Sequence, residues 1–401
     1  MKKLILLAFV IFIAVSLPDK EPRNCSTFLI KTGQDVFLGH NLDESPELFV
    51  PGLVCINRRQ AYREAITWNE LVAPPREYEK AIVAFEKKPA PKLSWVSRYG
   101  SVTFNSEGID FPDGGMNEKG LAVFEMSLME SRYKYDPALP TLFMSLWIQH
   151  QLDNCATVDE VVGNAEQINL QGWSWHYFVA DRSGDCAVIE FLEGELVVHR
   201  DLAYPVLCNA RYSQELERLK YFKGFGGMIP MEMNFSRAPR FVKAAKMLKD
   251  FEGSLPGTPR ERALKILDEI KIEGWNKWGI LIDVKNMTFY FHTGDNKKLR
   301  YFTVSDADFS AGKNDRILNM HADLTADVKA HFVDYTYERN LELIKKRAGI
   351  LFVERLKGLE KNGINARVYA ERFADYSRRM RRKKVNSKKT VIPGSLPDKG
   401  N

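Results

Sequence analysis

Apolar residues alternate with polar ones in short blocks from Cys25 to about Val304, and the blocks come in pairs. Thr27–Thr32 and Val36–Asn41 flank Gly33-Gln34-Asp35, a hairpin pattern. Tyr177–Ala180 and Cys186–Phe191 around Asp181–Asp185 predict a second hairpin. Ile280–Val284 and Thr288–His292 around Lys285–Met287 predict a third, with Leu299–Val304 following. Helix starts stand between these groups. Thr157 with Glu160 and Thr258 with Glu261 have capping-box spacing, and Ala263, Leu264, Leu267 and Ile270 share one face. Phe241, Ala244, Ala245 and Leu248 outline another helix after Pro239. Hairpins in groups, with helices between the groups, predict an α+β fold of antiparallel sheets covered by helices. From Thr325 to Tyr376 the pattern turns helical and polar.

The ends read differently. Lys2-Lys3, an apolar run from Leu4 to Val15, and Ala14-Val15-Ser16 predict a secretory signal over 1–16 and a secreted or periplasmic protein. The run is short for a bilayer span. Of the net charge of +6, the segment from Glu371 onward carries +7, leaving the rest near neutral. That balance gives the core domain no reason to bind nucleic acid. The tail 378–401 reads as basic and disordered, able to touch anionic surfaces. Five cysteines leave one unpaired in an exported chain. No CxxC, HExxH or HxH appears, so neither a metal nor another cofactor is expected.

The first hairpin raises a chemical possibility. A turn centred on Gln34 sets Cys25 across from Asp43, and opposed residues on antiparallel strands share a face. A carboxylate there could hold an ammonium or orient a thiol. Spacing alone favours the plainer reading of a buried cysteine and a strand-end aspartate.

Longer motifs shift that balance. Cys25-Ser26-Thr27-Phe28 followed by Gly39-His40-Asn41-Leu42-Asp43 resembles the opening of the choloylglycine hydrolase and penicillin V acylase family. Gly114–Leu121 (GGMNEKGL), Trp175-His176-Tyr177 through Ile189-Glu190, Val206–Asn209 and Pro239–Ala245 resemble further family blocks in the same order. Asp283–Asn286 and Thr293–Asn296 resemble its closing strands. The resemblance runs from Cys25 to near Val304.

It implies a four-layer αββα sandwich of the N-terminal-nucleophile type over 25–310, preceded by a propeptide at 17–24; the helical pattern beyond it is read as an extension over 311–377, outside the resemblance. It implies amide hydrolysis by Cys25 once the residues before it are removed, requiring no cofactor and no catalytic histidine. The freed α-amine, titrating near about 7.7–8.0, serves as base. Asp43 would bond the α-ammonium or the substrate amide, Asn209 would donate to the oxyanion, and Arg240 would sit near the sulfur and favour thiolate. The substrate is expected to be a small linear amide with an apolar acyl group, with Trp173, Trp175, Phe124 and Met126 as pocket candidates or core. A homotetramer is the family's usual assembly. Two departures stand out. His40 replaces a family arginine, making a fixed charge pH-dependent, and Ser127 occupies the second oxyanion or pocket position. An acyltransferase on the same nucleophile, and an inactive binding protein held to anionic surfaces by its tail, are the rival readings.

Overall fold

The computed structural model describes residues 25–72, 91–133, 135–231, 238–251, 256–353, 360 and 363–383. The expected signal and propeptide, and the tail from residue 384, lie outside them.

Two large sheets stack face to face. The first holds seven strands in the order Val206–Leu207, Ser26–Thr32, Asp35–Asp43, Asn276–Asp283, Thr288–Thr293, Arg300–Thr303 and Ala326–Asp327. The second holds nine, from Glu195–His199 through Cys186–Leu192, Trp175–Ala180, Ala122–Ser127, Pro112–Asn117, Ser101–Asn105, Leu53–Asn57 and Arg316–Asn319 to Val333–Asp334. Pairing is antiparallel throughout, except that Arg300–Thr303 runs parallel to Ala326–Asp327. Helices Arg240–Lys249 and Pro259–Ile270 cover the outer face of the first sheet. Met144–Asn154, Val158–Ala165, Tyr337–Leu351 and Ala366–Arg382 cover the second. The result is an αββα sandwich, as the sequence predicts.

Both capping sites form. Thr258 and Glu261 make a reciprocal box, and the Thr157 hydroxyl accepts from the Glu160 amide. Phe124, Met126, Phe178 and Val188 point between the sheets, whereas Val123, Tyr177, Val179 and Ile189 point to the helix layer. Successive side chains thus alternate between two cores. Of the four pocket candidates, Phe124 and Met126 are core. Trp175 is buried, and Trp173 is half-buried with its ring edge on Trp68 at 4.5 Å.

The expected division at residue 310 is corrected. Arg316–Asn319 pairs with Leu53–Asn57 inside the nine-stranded sheet, and Ala326–Asp327 completes the seven-stranded one. The helical part begins only at Tyr337. The expected disordered start at 378 is corrected too, because the last helix continues to Arg382. Several basic residues at its end have partners. Arg381 pairs with Asp110 at 2.5 Å and Asp315 at 2.7 Å, Arg378 with Asp375 at 2.7 Å, and Lys383 with Glu64. Ser377 Oγ donates to the Ile109 carbonyl at 3.0 Å, and the Tyr376 hydroxyl to that of Glu64 at 2.7 Å. Helix and core form one body. No helix among the described residues is long and apolar enough to cross a membrane.

Candidate active site

Cys25 stands one residue before the first strand and is buried. Ser26 pairs with Asn41 and Thr32 with Asp35, so the hairpin turn is the two-residue Gly33-Gln34. Gly33 has φ +56°, the backbone such a turn requires at its first position. The expected opposition of Cys25 and Asp43 is therefore off by one residue. The three-residue turn assumed from Gly33-Gln34-Asp35 is one too long, and the true register continues to Leu42 across from Cys25. Gly39 lies opposite Phe28, whose ring passes 2.3 Å from where a β-carbon would be. The motif's glycine is a packing requirement.

One residue beyond Leu42, Asp43 still reaches the nucleophile by another route. A bulge between Asn276 and Trp278 sets Asn276 opposite Asp43. Asp43 Oδ1 accepts from Asn276 Nδ2 at 3.0 Å and from the Ile272 amide at 3.2 Å. Its Oδ2 lies 3.5 Å from Arg240 Nη1 and accepts no hydrogen bond among the described residues. Burial pushes the Asp43 carboxyl up to about 6, against the pull of Arg240 and the bond from Asn276.

Asn209 arrives from the other side. The edge strand pairs Thr27 with Leu207 and Phe28 with Val206, and continuing that register sets Asn209 directly across from Cys25. Asn209 Nδ2 donates to the Ser127 carbonyl at 2.8 Å. Ser127 thus belongs to this cluster through its backbone, at the end of its strand.

Arg240 ties the pieces together. Its Nη1 donates to the Cys25 carbonyl at 3.0 Å and its Nη2 to Asn209 Oδ1 at 2.8 Å. An arginine in the first turn of a helix opposes the helix dipole, so these acceptors, and not the helix, hold it there. The guanidinium thus stands beside the nucleophilic residue, bonded to a carbonyl and an amide oxygen and facing a carboxylate. The expected bias toward thiolate is what needs correcting. Burial, with Glu125 and Asp43 adding to it, pushes Cys25 well above the ordinary thiol value, and a bond from the Asp43 backbone only partly offsets this.

His40 also departs from expectation. It is buried, stacks on Phe124 with centroids 4.5 Å apart, and shares a 2.9 Å bond between Nδ1 and Thr27 Oγ1. The Thr27 hydroxyl points at Met126 Sδ at 2.9 Å, which leaves the histidine as donor. Burial lowers His40 to about 3, so it is a neutral ring over the working range and no pH-dependent charge.

Glu125 and Asp113 belong to no motif in the sequence reading. Both are buried, and the register Gly114–Phe124 carries Asp113 directly opposite Glu125. Burial, then repulsion from Asp113, pushes the Glu125 carboxyl up, and burial does the same for Asp113. Glu125 interrupts the run Ala122–Met126, the one sign a reader of the sequence could have used. Asn117, in the GGMNEKGL block, is structural. Its Nδ2 donates to the Leu152 and Cys155 carbonyls at 2.8 and 2.7 Å, closing the end of the buried helix Met144–Asn154.

Residues 63–258 match the linear amide C–N hydrolases of the choloylglycine hydrolase family. Penicillin V acylase of Pectobacterium atrosepticum is 27% identical over 60% of this chain and 77% of its own length. Over that stretch the chain is similar to the choloylglycine hydrolase family. Its activity is hydrolysis of carbon–nitrogen bonds in linear amides, other than peptide bonds. Two solved structures share the fold of this choloylglycine hydrolase relative. Penicillin V acylase from Agrobacterium tumefaciens superposes with a TM-score of 0.63 at 22% identity, covering 78% of this chain and 98% of its own. A variant of conjugated bile acid hydrolase from Clostridium perfringens gives 0.56 at 14% identity, covering 78% and 97%.

Proposed function

We propose that the protein is an exported amidase that uses Cys25, freed as the first residue of the mature chain, to cleave a small linear amide bearing an apolar acyl group. The observation that carries this reading is the shared Arg240 fork, which gathers the Cys25 carbonyl, the Asn209 amide oxygen and Asp43 around one thiol. Removal of residues 1–24, the expected signal and leader, exposes an α-amine where the Asn24–Cys25 peptide bond stood. Asp43, with its open Oδ2, is the counter-charge for the ammonium form of that amine.

The chemistry needs a base, because the Cys25 thiol is held neutral. The α-amine takes the thiol proton as the sulfur attacks the amide carbonyl. Asn209 Nδ2 has a second hydrogen beyond the one given to Ser127, and it donates to the oxyanion. Collapse breaks the C–N bond, and the ammonium proton passes to the leaving nitrogen. Water then gives a proton to the amine and attacks the thioester, releasing the acid and restoring the thiol. Arg240 is a positioning residue here, fixing which face Asn209 presents.

A panel of acyl amides tests this. With the best substrate, Asn209→Ala should lower kcat by roughly 10²–10³-fold, and Cys25→Ala should abolish turnover. Full activity in either variant would refute the assignment.

A further inference from the structure

His176 and Glu190 belong to a hydrogen-bonded group that the reaction steps above do not use. They stand directly opposite on the central hairpin, since Tyr177 pairs with Ile189. Both are buried. His176 Nε2 lies 2.8 Å from the Cys208 carbonyl, and its Nδ1 lies 3.2 Å from Glu190 Oε1. Glu190 also accepts from the Tyr212 amide at 2.9 Å and from His199 Nε2 at 3.0 Å.

We infer that His176, donating from Nε2, is a positioning residue that pins the Cys208 carbonyl and so fixes the peptide from which Asn209 points at the site. A carbonyl only accepts, so Nε2 must donate to it. On the other side of the ring, Nδ1 faces Glu190, which is itself held by the Tyr212 amide and His199. Burial alone would raise Glu190, but the bonds from His176 and His199 outweigh it and bring it down to about 2. The groups facing His176 are therefore Glu190 across the hairpin, His199 beyond it, and the Cys208 carbonyl and Tyr212 amide from the segment that carries Asn209. Main-chain pinning matters here because Val206–Leu207 is a two-residue edge strand with little ladder of its own. The Arg240 fork holds the Asn209 side chain, and His176 holds the backbone behind it.

This inference rests on Asn209 serving the oxyanion, and a double-mutant cycle separates the two. His176→Gln should lower kcat by roughly ten- to a hundredfold with KM little changed. In the Asn209→Ala background the same substitution should have almost no further effect. If Asn209→Ala alone leaves kcat intact, the reading of the site fails. If Asn209→Ala is impaired but His176→Gln lowers kcat equally in both backgrounds, the positioning inference fails. Because a buried substitution can unfold the chain, the unmutated protein supplies a second test. Nitrogen NMR of histidine-labelled protein should show the His176 Nε2 carrying a hydrogen. A bare Nε2 would overturn the inference.

Discussion

Two buried charge clusters sit at different places in the sandwich, and they are built to different ends. One surrounds Cys25 and has Arg240 facing Asp43. The other joins the last helix to the core. Arg63 there meets Asp110 and, at 2.9 Å, Asp153, while Arg381 meets Asp110 and Asp315. Burial would raise Asp110, but Arg381 and Arg63 together outweigh it and hold its carboxyl far below the ordinary range. Asp43, with one arginine at 3.5 Å and one open oxygen, is instead raised to about 6. The anchoring cluster surrounds its central carboxylate with cations. The site leaves its carboxylate short of partners, so that a group arriving later can complete it.

The contrast can be broken from either side. Arg381→Ala strips Asp110 and Asp315 of a shared cation in a buried place, and we expect a loss of about 3–5 kcal/mol in urea unfolding. A change near zero would mean that the last helix is not anchored by charge. At the site, the comparison is Cys25→Ala against Cys25→Ala/Asp43→Asn, both unprocessed. A carboxyl raised in the folded state stabilises at low pH and loses that contribution as pH rises through about 6. The double variant should therefore gain on the single one, by on the order of 1–3 kcal/mol between about pH 4 and 6, and then stay level. A gap that narrows over that window would contradict the raised Asp43. The smallest effect belongs to the tail. Ending the chain after Lys383 should leave unfolding unchanged, whereas ending it at Tyr376 removes Ser377 and Arg381 and should not.

What the sequence made legible was local. The hairpin pairs, the Thr258 box and the helix after Pro239 are set by residues near one another, and all of them form. The site residues came from motif resemblance, and the structure gathers Cys25, Asp43, Asn209 and Arg240 together. Their contacts were not legible, because each depends on pairing between distant segments. Asn209 faces Cys25 only because an edge strand docks 180 residues away. The turn at Gly33-Gln34 shows how fine the limit is, since one residue in turn length changes what opposes the nucleophile. Helix Met144–Asn154 was missed for another reason. All but its last residue are buried, so it has no polar stripe to give it a period. The basic run at 378–382 looked like a solvated tail because its acidic partners, Asp110 and Asp315, lie far off in sequence.

Catalysis by Cys25 requires one covalent event, the exposure of its α-amine. Intact mass and N-terminal sequencing of the purified mature protein test it directly. The account predicts a chain that begins at Cys25, and a Cys25→Ala protein that keeps residues ahead of position 25. An active enzyme beginning at Leu17 or Met1 would have no α-amine on Cys25 to serve as base, and would contradict it.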